Sequence, residues 1–398
     1  MSPTLHIKLF NKRTHSFHFF GVMGFVFGTA LGVSLAGMLH LNPLVVLGMS
    51  VICACTFFLL ASGAKWLLKN EVIVYYHHEI AIIIFCTIAL YFLGLPVLTY
   101  LDIAILGMAV FLGFGRMGCY SVGCCHGRPH AHGVKYGQLH VAAGFTWFYK
   151  DVALFPIQVV ESAAVFLLAG FSIFLLFSNE PPGTVMVCYT VLYGLIRFIL
   201  EFFRGDPERP TWKGISEAQL TTLLLVAISL VLGNFGYLPL YSWHLVIFAC
   251  LLAAACYIIS IKNQSFSYRF FTALHVKEVA TALRMLAKPS VASSINSKSI
   301  GIKIFTTKQG LSISCAHYKM AAQCIRQYTI SAQGNINNVL AHKIAKLICQ
   351  LQNNTDGYQL CNTKNGIYHV LLKQKPPPEK PFAQPPVILK KPALFGKS

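Results

Sequence analysis

Charge is scarce in this sequence. Only 11% of its 398 residues are charged, 13 residues are acidic, and 55% are hydrophobic, with a mean hydropathy of +0.60. This composition excludes an ordinary soluble domain and indicates a chain with several membrane spans. The sequence also lacks an internal repeat and a regular cysteine framework. Its 13 cysteines are scattered, and many lie in apolar runs, where a free thiol behaves as a small hydrophobe.

The few charges are unevenly distributed. Residues 262–398 contain 19 Lys or Arg and 3 Asp or Glu, whereas residues 1–261 contain 13 and 10. The net charge of +19 therefore belongs mainly to the C-terminal third. A basic segment suits anionic lipid headgroups or nucleic acid. We favour a solvated basic domain held near a membrane and expect no nucleic-acid partner.

Eight apolar runs approach the ~20 residues that a spanning helix needs. They cover residues 17–39, 44–64, 80–99, 101–119, 157–177, 184–203, 220–238 and 243–261. Because backbone groups in lipid must be satisfied within the span, we predict an all-α bundle of about 7–8 transmembrane helices. The first run has no small-residue cleavage site and is interpreted as a span, not a signal peptide. The run at 101–119 has the weakest signal, and Pro96 is expected to kink or end the third span.

We divide the chain into three domains. Residues 1–261 form the predicted transmembrane domain, and residues 116–156, its longest loop, form the expected head region. Residues 262–374 are predicted to form a small basic α+β domain outside the membrane. Residues 375–398 are a Pro- and Lys-rich tail, typical of disordered chain.

The prediction of a C-terminal α+β domain depends on three local patterns. Residues 303–314 have hairpin character around Gln309-Gly310, and residues 358–373 have it around Asn365-Gly366. Between them, apolar residues recur at helical spacing over about 336–352, which predicts an amphipathic helix.

The densest group of reactive side chains lies in residues 114–129, which read FGRMGCYSVGCCHGRP. Two arginines, three cysteines and a histidine stand among four glycines, and glycine lets the backbone bend and approach a ligand closely. Charged groups at membrane depth are expensive, so these residues are functional candidates.

A second charged stretch lies in the sixth apolar run. Arg197 and Glu201 are four residues apart and Arg204 follows, a spacing that predicts one shared helix face. An arginine inside a span needs a partner, which Glu201 can supply. A purely structural ion pair is the alternative. We favour a function, because two arginines at helix ends can clamp a phosphodiester headgroup through paired hydrogen bonds.

The order of several short motifs resembles one enzyme family. The motifs are Arg116-x-Gly118 with Gly123, Gly127 and Arg128, then Pro156-x-Gln158 and Glu161, then Tyr193-Gly194, Arg197, Glu201-Phe202, Arg204 and Asp206, with Asp102 upstream and Ser216 and Gln219 downstream. Over residues 20–240 they resemble the prolipoprotein diacylglyceryl transferases. The resemblance implies a multi-pass enzyme of the bacterial cytoplasmic (inner) membrane. It would move the diacylglyceryl group of phosphatidylglycerol to the lipobox cysteine thiol of a prolipoprotein, forming a thioether.

The resemblance also implies partners and residue roles. The partners would be phosphatidylglycerol, membrane lipid and prolipoprotein signal peptides, and no cofactor is expected. Arg116, Arg197 and Glu201 would be catalytic, the arginines stabilising the leaving glycerol phosphate. His77 would take the proton of the attacking thiol, with Tyr76 as the alternative. The expected substrate-binding residues are Tyr76, Gly118, Cys119, Gly127, Arg128, Gln158, Glu161 and Arg204.

The cysteines leave another interpretation open, a metal-binding membrane protein or a transporter. Its candidate ligands for Zn²⁺ or Cu⁺ are Cys119, Cys124, Cys125, His126, His130 and His132. The spacing C-x4-C-C-H is not a standard zinc pattern, so we expect no metal. Cys119 and Cys124 also stand where the resembling family usually has Asn and Glu.

The charge pattern and the resemblance disagree about orientation. Basic residues alternate with nearly uncharged loops, and the positive-inside rule would place all the basic segments in the cytoplasm. The resemblance instead places the loops that carry Arg116 and Arg204 on the outer face. We favour the outer face, because functional arginines inflate the charge count of those loops. With eight spans, residues 262–398 would then lie outside as well.

Overall fold

The computed structural model describes residues 3–9, 12–68, 75–206, 211–264, 269–286, 303–320, 323–334, 336–354, 356–363 and 366–374. The chain divides into two compact units, the first of which comprises Met1–Arg284 with Thr307–Gln309 and Gln350–Asn353. The predicted tail at 375–398 and Asn365 of the predicted second hairpin turn lie outside the described residues.

The first unit is a helix bundle. In chain order its helices are α1 (Ser16–Met38), α2 (Pro43–Leu68), α3 (Tyr75–Phe92), α4 (Val97–Val122), the short α5 (Gln138–Ala142), α6 (Ile157–Leu176), α7 (Thr184–Leu200), α8 (Glu217–Asn234), α9 (Ser242–Gln264) and α10 (Ala273–Leu286). In the described part of the chain, seven helices are long and apolar enough to cross a membrane, and the apolar part of α3 is shorter. The prediction of a polytopic helical membrane protein is confirmed.

The interpretation of the run at 101–119 as the weakest span was wrong. This run lies within α4, a helix of 26 residues that packs against α1, α6 and α7. Asp102 lowers its apolar signal, but its carboxylate accepts hydrogen bonds from the backbone N–H groups of Gly183 (2.7 Å) and Met186 (2.8 Å). These donors belong to the N-terminus of α7, which Asp102 therefore caps from a neighbouring helix. Pro96 stands directly before α4, and α3 has ended by Phe92.

Close contact between α1 and α4 depends on glycine. Gly24, Gly28 and Gly32 recur every four residues on the buried face of α1. A Cβ atom at Gly28 would lie 2.6 Å from the carbonyl oxygen of Gly107 on α4, which no side chain tolerates without movement. Small residues at such spacing let helix backbones approach closely, as is common between membrane helices.

The head region lies between α4 and α6. α4 ends at Gly123, whose φ of +85° is the left-handed conformation that glycine adopts readily. The head region then contains β3 (Pro129–Val134), α5 and a 3-10 turn at Trp147–Tyr149. Its core holds fully buried aromatic side chains, including Tyr136 and Tyr149.

α10 returns to the head region after the last membrane helix. The Arg284 guanidinium donates to the backbone oxygen of Phe148 at 2.9 Å and also to that of Lys150. Lys277 stands over the ring of Phe148, 5.6 Å from its centroid. The chain leaving α9 and the chain leaving α4 are thus on the same end of the bundle.

Short hairpins also lie in the first unit. An N-terminal hairpin pairs β1 (His6–Leu9) with β2 (Lys12–His15), and a second pairs β4 (Thr211–Trp212) with β5 (Ile215–Ser216) directly before α8. Neither was predicted, because both strands of each pair are too short for a periodic pattern.

Within the described residues, the second unit contains a five-stranded antiparallel sheet and a helix. The strands are β6 (Ile304–Thr306), β7 (Leu311–Met320), β8 (Gln323–Ala332), β9 (Gln359–Thr363) and β10 (Ile367–Gln374), in the spatial order β6-β7-β8-β10-β9. α11 (Asn338–Leu351) matches the predicted amphipathic helix, and Gly310 (φ +81°) turns the first predicted hairpin. The second predicted hairpin is the β9–β10 pair. The prediction of a small α+β unit is confirmed.

Candidate active site

A single carboxylate joins three helices at the centre of the bundle. Glu161, on α6, is completely buried. Its Oε2 lies 2.9 Å from Nε of Arg116 on α4 and 3.8 Å from Nη1 of Arg197 on α7. Its Oε1 accepts a hydrogen bond of 3.0 Å from the hydroxyl of Tyr193 on α7. Both oxygens are engaged, so the carboxylate fixes the two guanidinium groups beside each other.

Arg197 also binds the second carboxylate expected from the sequence. Its Nη2 lies 3.2 Å from Oε2 of Glu201, and both side chains are about 5% exposed. The spacing of four residues gives this contact because α7 continues into a 3-10 turn at Glu201–Phe203.

The prediction that Arg204 shares this helix face was wrong. α7 ends at Leu200, and Arg204 has extended backbone after the 3-10 turn. It is nevertheless buried, because Nε and Nη2 bind the two carboxylate oxygens of Asp206 at 2.9 and 3.0 Å. Burial alone would lower the pKa of Arg204, but the charges of Cys125 and Asp206 and this double contact raise it above its ordinary value.

Backbone contacts tie Arg204 to the head region. Gly127 and Arg204 form an antiparallel bridge, and Nε of Arg128 donates to the Arg204 carbonyl at 3.0 Å. A Cβ atom at Gly205 would lie 2.2 Å from the Gly127 carbonyl oxygen, so only glycine permits this approach. The two arginine-bearing stretches found in the sequence therefore meet.

Several buried polar atoms of this region make no hydrogen bond to any residue that the structure describes. Among them are Nη1 of Arg197, Nη1 of Arg204 and Oε1 of Gln158. Buried donors without acceptors are costly in a folded protein. Two of these atoms are guanidinium donors, and a phosphate group is the ligand that guanidinium donors bind best.

Three sulfur atoms meet beside the arginines. The Sγ atoms of Cys119, Cys124 and Cys125 all lie within 4.8 Å of one another. Hydrogen bonds from Cys119 and Cys124, with the charges of Arg204 and Arg116, lower the pKa of Cys125 below its usual range. The grouping could hold a metal ion, and the expectation of no metal site stays a prediction. Spacing alone did not reveal it, because Cys119 lies on α4 and the other two lie beyond the helix end.

The histidines proposed with these cysteines are elsewhere in the described structure. His126 packs its ring against Phe145 and Tyr149, and Nδ1 of His130 contacts the carbonyl of His132. Within the described residues, the three-sulfur group has no histidine member.

The family model of prolipoprotein diacylglyceryl transferases matches residues 7–234, more than half of the chain. The chain belongs to the prolipoprotein diacylglyceryl transferase family. The matched region contains all the arginines and carboxylates of the buried network.

Curated relatives agree with this assignment. The chain is 34% identical over 138 residues to a phosphatidylglycerol–prolipoprotein diacylglyceryl transferase of Clostridium tetani, covering 35% of this chain and 53% of the relative. It is 30% identical to a second such enzyme of Clostridium perfringens, covering 35% and 50%. A relative from Helicobacter hepaticus is 36% identical over 89 residues, covering 21% and 30%. The chain spans about half the length of the first two relatives.

In this diacylglyceryl transferase family member, the two candidate bases have different surroundings. Tyr76 is buried, its hydroxyl lies 2.9 Å from Oγ1 of Thr222, and its ring approaches that of Tyr193 at 6.1 Å. His77 is 58% exposed, and its Nε2 lies 3.0 Å from a carboxylate oxygen of Glu217. Tyr76 therefore belongs to the buried network, whereas His77 faces outward.

The remaining site candidates of this family member lie close to the network. Arg116, Gly118 and Cys119 are in the last turns of α4 and not in a loop, because the helix continues to Val122. Gly118 allows Phe17 of α1 to approach, because a Cβ atom at Gly118 would lie only 3.3 Å from the ring of Phe17. A Cβ atom at Gly127 would lie 2.5 Å from the Phe155 carbonyl oxygen, so this position also requires glycine. Gln158 Nε2 donates to the Cys124 carbonyl at 2.8 Å.

Four residues of the transferase bundle were missed as site candidates by the sequence reasoning. Tyr193 binds Glu161, and Thr222 binds Tyr76. His78 and Glu79 follow His77 and are buried beside the bundle core. The sequence held a signal for two of them. Tyr193 precedes Arg197 by four residues and so shares its helix face, and Glu79 is a charged residue at the start of an apolar run.

Proposed function

We propose that this chain transfers the diacylglyceryl group of phosphatidylglycerol to the lipobox cysteine of a prolipoprotein in the bacterial cytoplasmic membrane. The observation that carries the proposal is the position of Glu161, whose carboxylate holds Arg116 and Arg197 side by side within the bundle. Family membership and the buried guanidinium donors support it.

The arginines supply charge stabilisation for the leaving group. In the reaction, the cysteine sulfur attacks the terminal glycerol carbon of the diacylglycerol moiety. The carbon–oxygen bond to phosphate breaks, and glycerol phosphate departs with the electron pair. Arg116 and Arg197 face the phosphate oxygens that gain this charge, and their fixed positions make reorganisation unnecessary. Arg128 of the head region, Arg204 beyond α7 and Gln158 on α6 complete the headgroup site.

Glu161 and Glu201 act on the arginines and not on the substrate. Two carboxylates fix Arg197 through separate nitrogens, with Oε2 of Glu201 at 3.2 Å and Oε2 of Glu161 at 3.8 Å. A guanidinium held in this way keeps its remaining donors directed, which favours bidentate binding of a phosphate.

His77 is the proposed proton acceptor for the thiol. Glu217 holds one nitrogen of its ring at 3.0 Å, and the ring is exposed where an incoming peptide could meet it. An imidazole ring that a carboxylate orients through one nitrogen can accept a proton on the other nitrogen. Tyr76 instead packs within the buried network and lines the lipid-binding region. Gly118, Cys119 and Gly127 shape the backbone on which these groups stand.

The direct test is transfer in a purified system. Full-length protein in detergent is incubated with phosphatidylglycerol vesicles and a synthetic lipobox peptide, and the peptide is analysed by mass spectrometry. A mass increase equal to one diacylglyceryl group, absent when Ser replaces the peptide cysteine, is the expected result. Transfer that is equally efficient from phosphatidylethanolamine, or no transfer at all, would contradict the proposal.

A matched pair of variants connects the activity to the site. Arg116→Ala should abolish transfer, because it removes one of the two guanidinium groups beside Glu161. Arg13→Ala is the control, since Arg13 is an exposed residue of the N-terminal hairpin. Equal loss in both variants would show that the effect does not arise from the site.

A further inference from the structure

The three-sulfur group offers ligands of one chemical type at metal-binding separation. The sulfurs of Cys119, Cys124 and Cys125 lie within 4.8 Å of one another. A metal ion about 2.3 Å from each sulfur requires sulfurs separated by about 3.8–4.0 Å. Small side-chain rotations therefore suffice to bind one ion.

The backbone close to these sulfurs is strained at one residue. Cys125 has a φ of +55°, a left-handed conformation that residues other than glycine rarely adopt. Such strain concentrates at functional sites, where surrounding structure holds it. Gly123, at φ +85°, and the hydrogen bond from Gln158 to the Cys124 carbonyl hold the neighbouring turn. The chain therefore returns Cys124 and Cys125 to the end of α4, where Cys119 lies.

The ligand set identifies the class of ion and leaves a coordination position open. Three thiolates select soft or borderline ions, and among these Zn²⁺ prefers four ligands. Within the described residues, no fourth histidine, cysteine or carboxylate joins the group. Cys124 is exposed and the other two cysteines are partly exposed, so an outside ligand can reach the ion. Zinc sites with three protein ligands and one open position are catalytic in type.

We propose that Cys119, Cys124 and Cys125 bind one Zn²⁺ ion, and that its open position takes the thiolate of the acceptor cysteine during S-alkylation. This inference rests on the proposed function. On binding zinc, the acceptor thiol loses its proton to His77 or to solvent, because a coordinated thiol is deprotonated. The zinc-bound sulfur then attacks the glycerol carbon, the carbon–oxygen bond breaks, and glycerol phosphate leaves. No oxidant or reductant is required.

The position of the group fits this role. Cys119 follows Arg116 by three residues, one turn along α4, so the ion and the headgroup-binding arginines are neighbours. Three thiolates and Zn²⁺ carry a single negative charge together, which the nearby Arg116 and Arg204 can compensate. The nucleophile and the leaving group would thus be held on adjoining parts of one site.

Metal content is the first test and needs no substrate. Full-length protein is purified in detergent under reducing conditions, incubated with Zn²⁺, desalted and analysed by elemental mass spectrometry. We expect about one zinc per chain, as a single site of this type requires. Each of Cys119→Ser, Cys124→Ser and Cys125→Ser should lose the ion. Cys250→Ser, an exposed cysteine on α9, is the matched control and should retain it.

The open position is tested with Co²⁺ as a spectroscopic replacement. Co²⁺ bound to thiolates absorbs in the near ultraviolet and visible regions, and the spectrum changes when a further sulfur binds. A lipobox peptide with its cysteine should change the spectrum, and the same peptide with Ser should not. This measurement contains no lipid, so it remains informative even where transfer fails.

The outcomes separate the two proposals. Wild-type protein without bound zinc overturns the inference, as does alkylation mass analysis that finds two of the three cysteines joined as a disulfide. If Co²⁺ binds but its absorption spectrum does not change when the cysteine peptide is added, the role in acceptor binding is overturned. Transfer by metal-free protein would contradict the zinc site while supporting the proposed function. A peptide-responsive ion in protein that transfers nothing would contradict the proposed function alone.

Discussion

Oε2 of Glu161 lies 2.9 Å from Nε of Arg116, with the carboxylate completely buried and the arginine nearly so. The same oxygen lies 3.8 Å from Arg197, so one carboxylate balances charges from two other helices. Taking such groups out of water is costly unless each retains its partners. The side-by-side arrangement of Arg116 and Arg197 therefore depends on Glu161 more than on any surface contact.

Replacing Glu161 with Gln should damage both stability and activity. The variant keeps the shape of the side chain but leaves two buried guanidinium groups without their shared anion. Removing one partner of a buried pair costs about 3–5 kcal/mol, and we expect a clear drop in the thermal unfolding temperature in detergent. Transfer should fall at temperatures where the variant is still folded. Glu180→Gln, at an exposed position, is the control. Equal unfolding temperatures for wild type and Glu161→Gln would show that the carboxylate does not balance the arginines.

Arg197 should tolerate neither Ala nor Lys in the transfer reaction. Loss of a group that stabilises charge in the transition state lowers the rate by about 10²–10³-fold, and we expect a loss of this size for Arg197→Ala. Lys retains the charge but lacks the planar guanidinium that can bind Glu201 and two phosphate oxygens at once. Arg197→Lys should therefore restore little of the transfer activity. Initial transfer rates at saturating phosphatidylglycerol measure the effect. Full activity in Arg197→Ala, with the protein still in the membrane, would assign Arg197 a structural role only.

The glycine contact between α1 and α4 gives a prediction with a control on the same helix. Gly28→Ala places a methyl group 2.6 Å from the Gly107 carbonyl oxygen, so the helices must separate. Overpacking of this kind costs about 1–3 kcal/mol. Gly21→Ala adds the same methyl group where no atom lies within 4 Å and should leave the unfolding temperature unchanged or slightly raised. Similar behaviour of the two variants would contradict the close crossing.

Sequence reasoning recovered elements with a strong local pattern and missed those that depend on tertiary contact. The apolar runs predicted the spanning helices, and the spacing of Arg197 and Glu201 predicted their ion pair, because both follow from helix geometry. Arg204 was misplaced because α7 tightens into a 3-10 turn, a change that has no composition signal. The central role of Glu161 was also hidden, since its partners lie on other helices and α6 shows only an isolated acid. The three-sulfur group required knowledge of where α4 ends.

The side of the membrane on which α10 lies follows from its contact with the head region, and it can be tested directly. Arg284 donates to backbone oxygens of the head region, so residues 273–284 lie on the same side of the membrane as Phe148. The placement of both on the outer face remains a prediction.

A fluorescent protein that matures only in the cytoplasm should therefore be dark when fused after Ser398. Fused after Ser178, between α6 and α7 at the opposite end of the bundle, it should fluoresce. A periplasm-dependent enzyme fused at the same two positions should give the reverse pattern. Fluorescence from both fusions would mean that the chain crosses the membrane an even number of times between them, so that residue 284 could not reach the head region. The opposite pattern, with fluorescence only after Ser398, would invert the whole bundle and place the arginine site at the cytoplasmic face, as the positive-inside rule prefers.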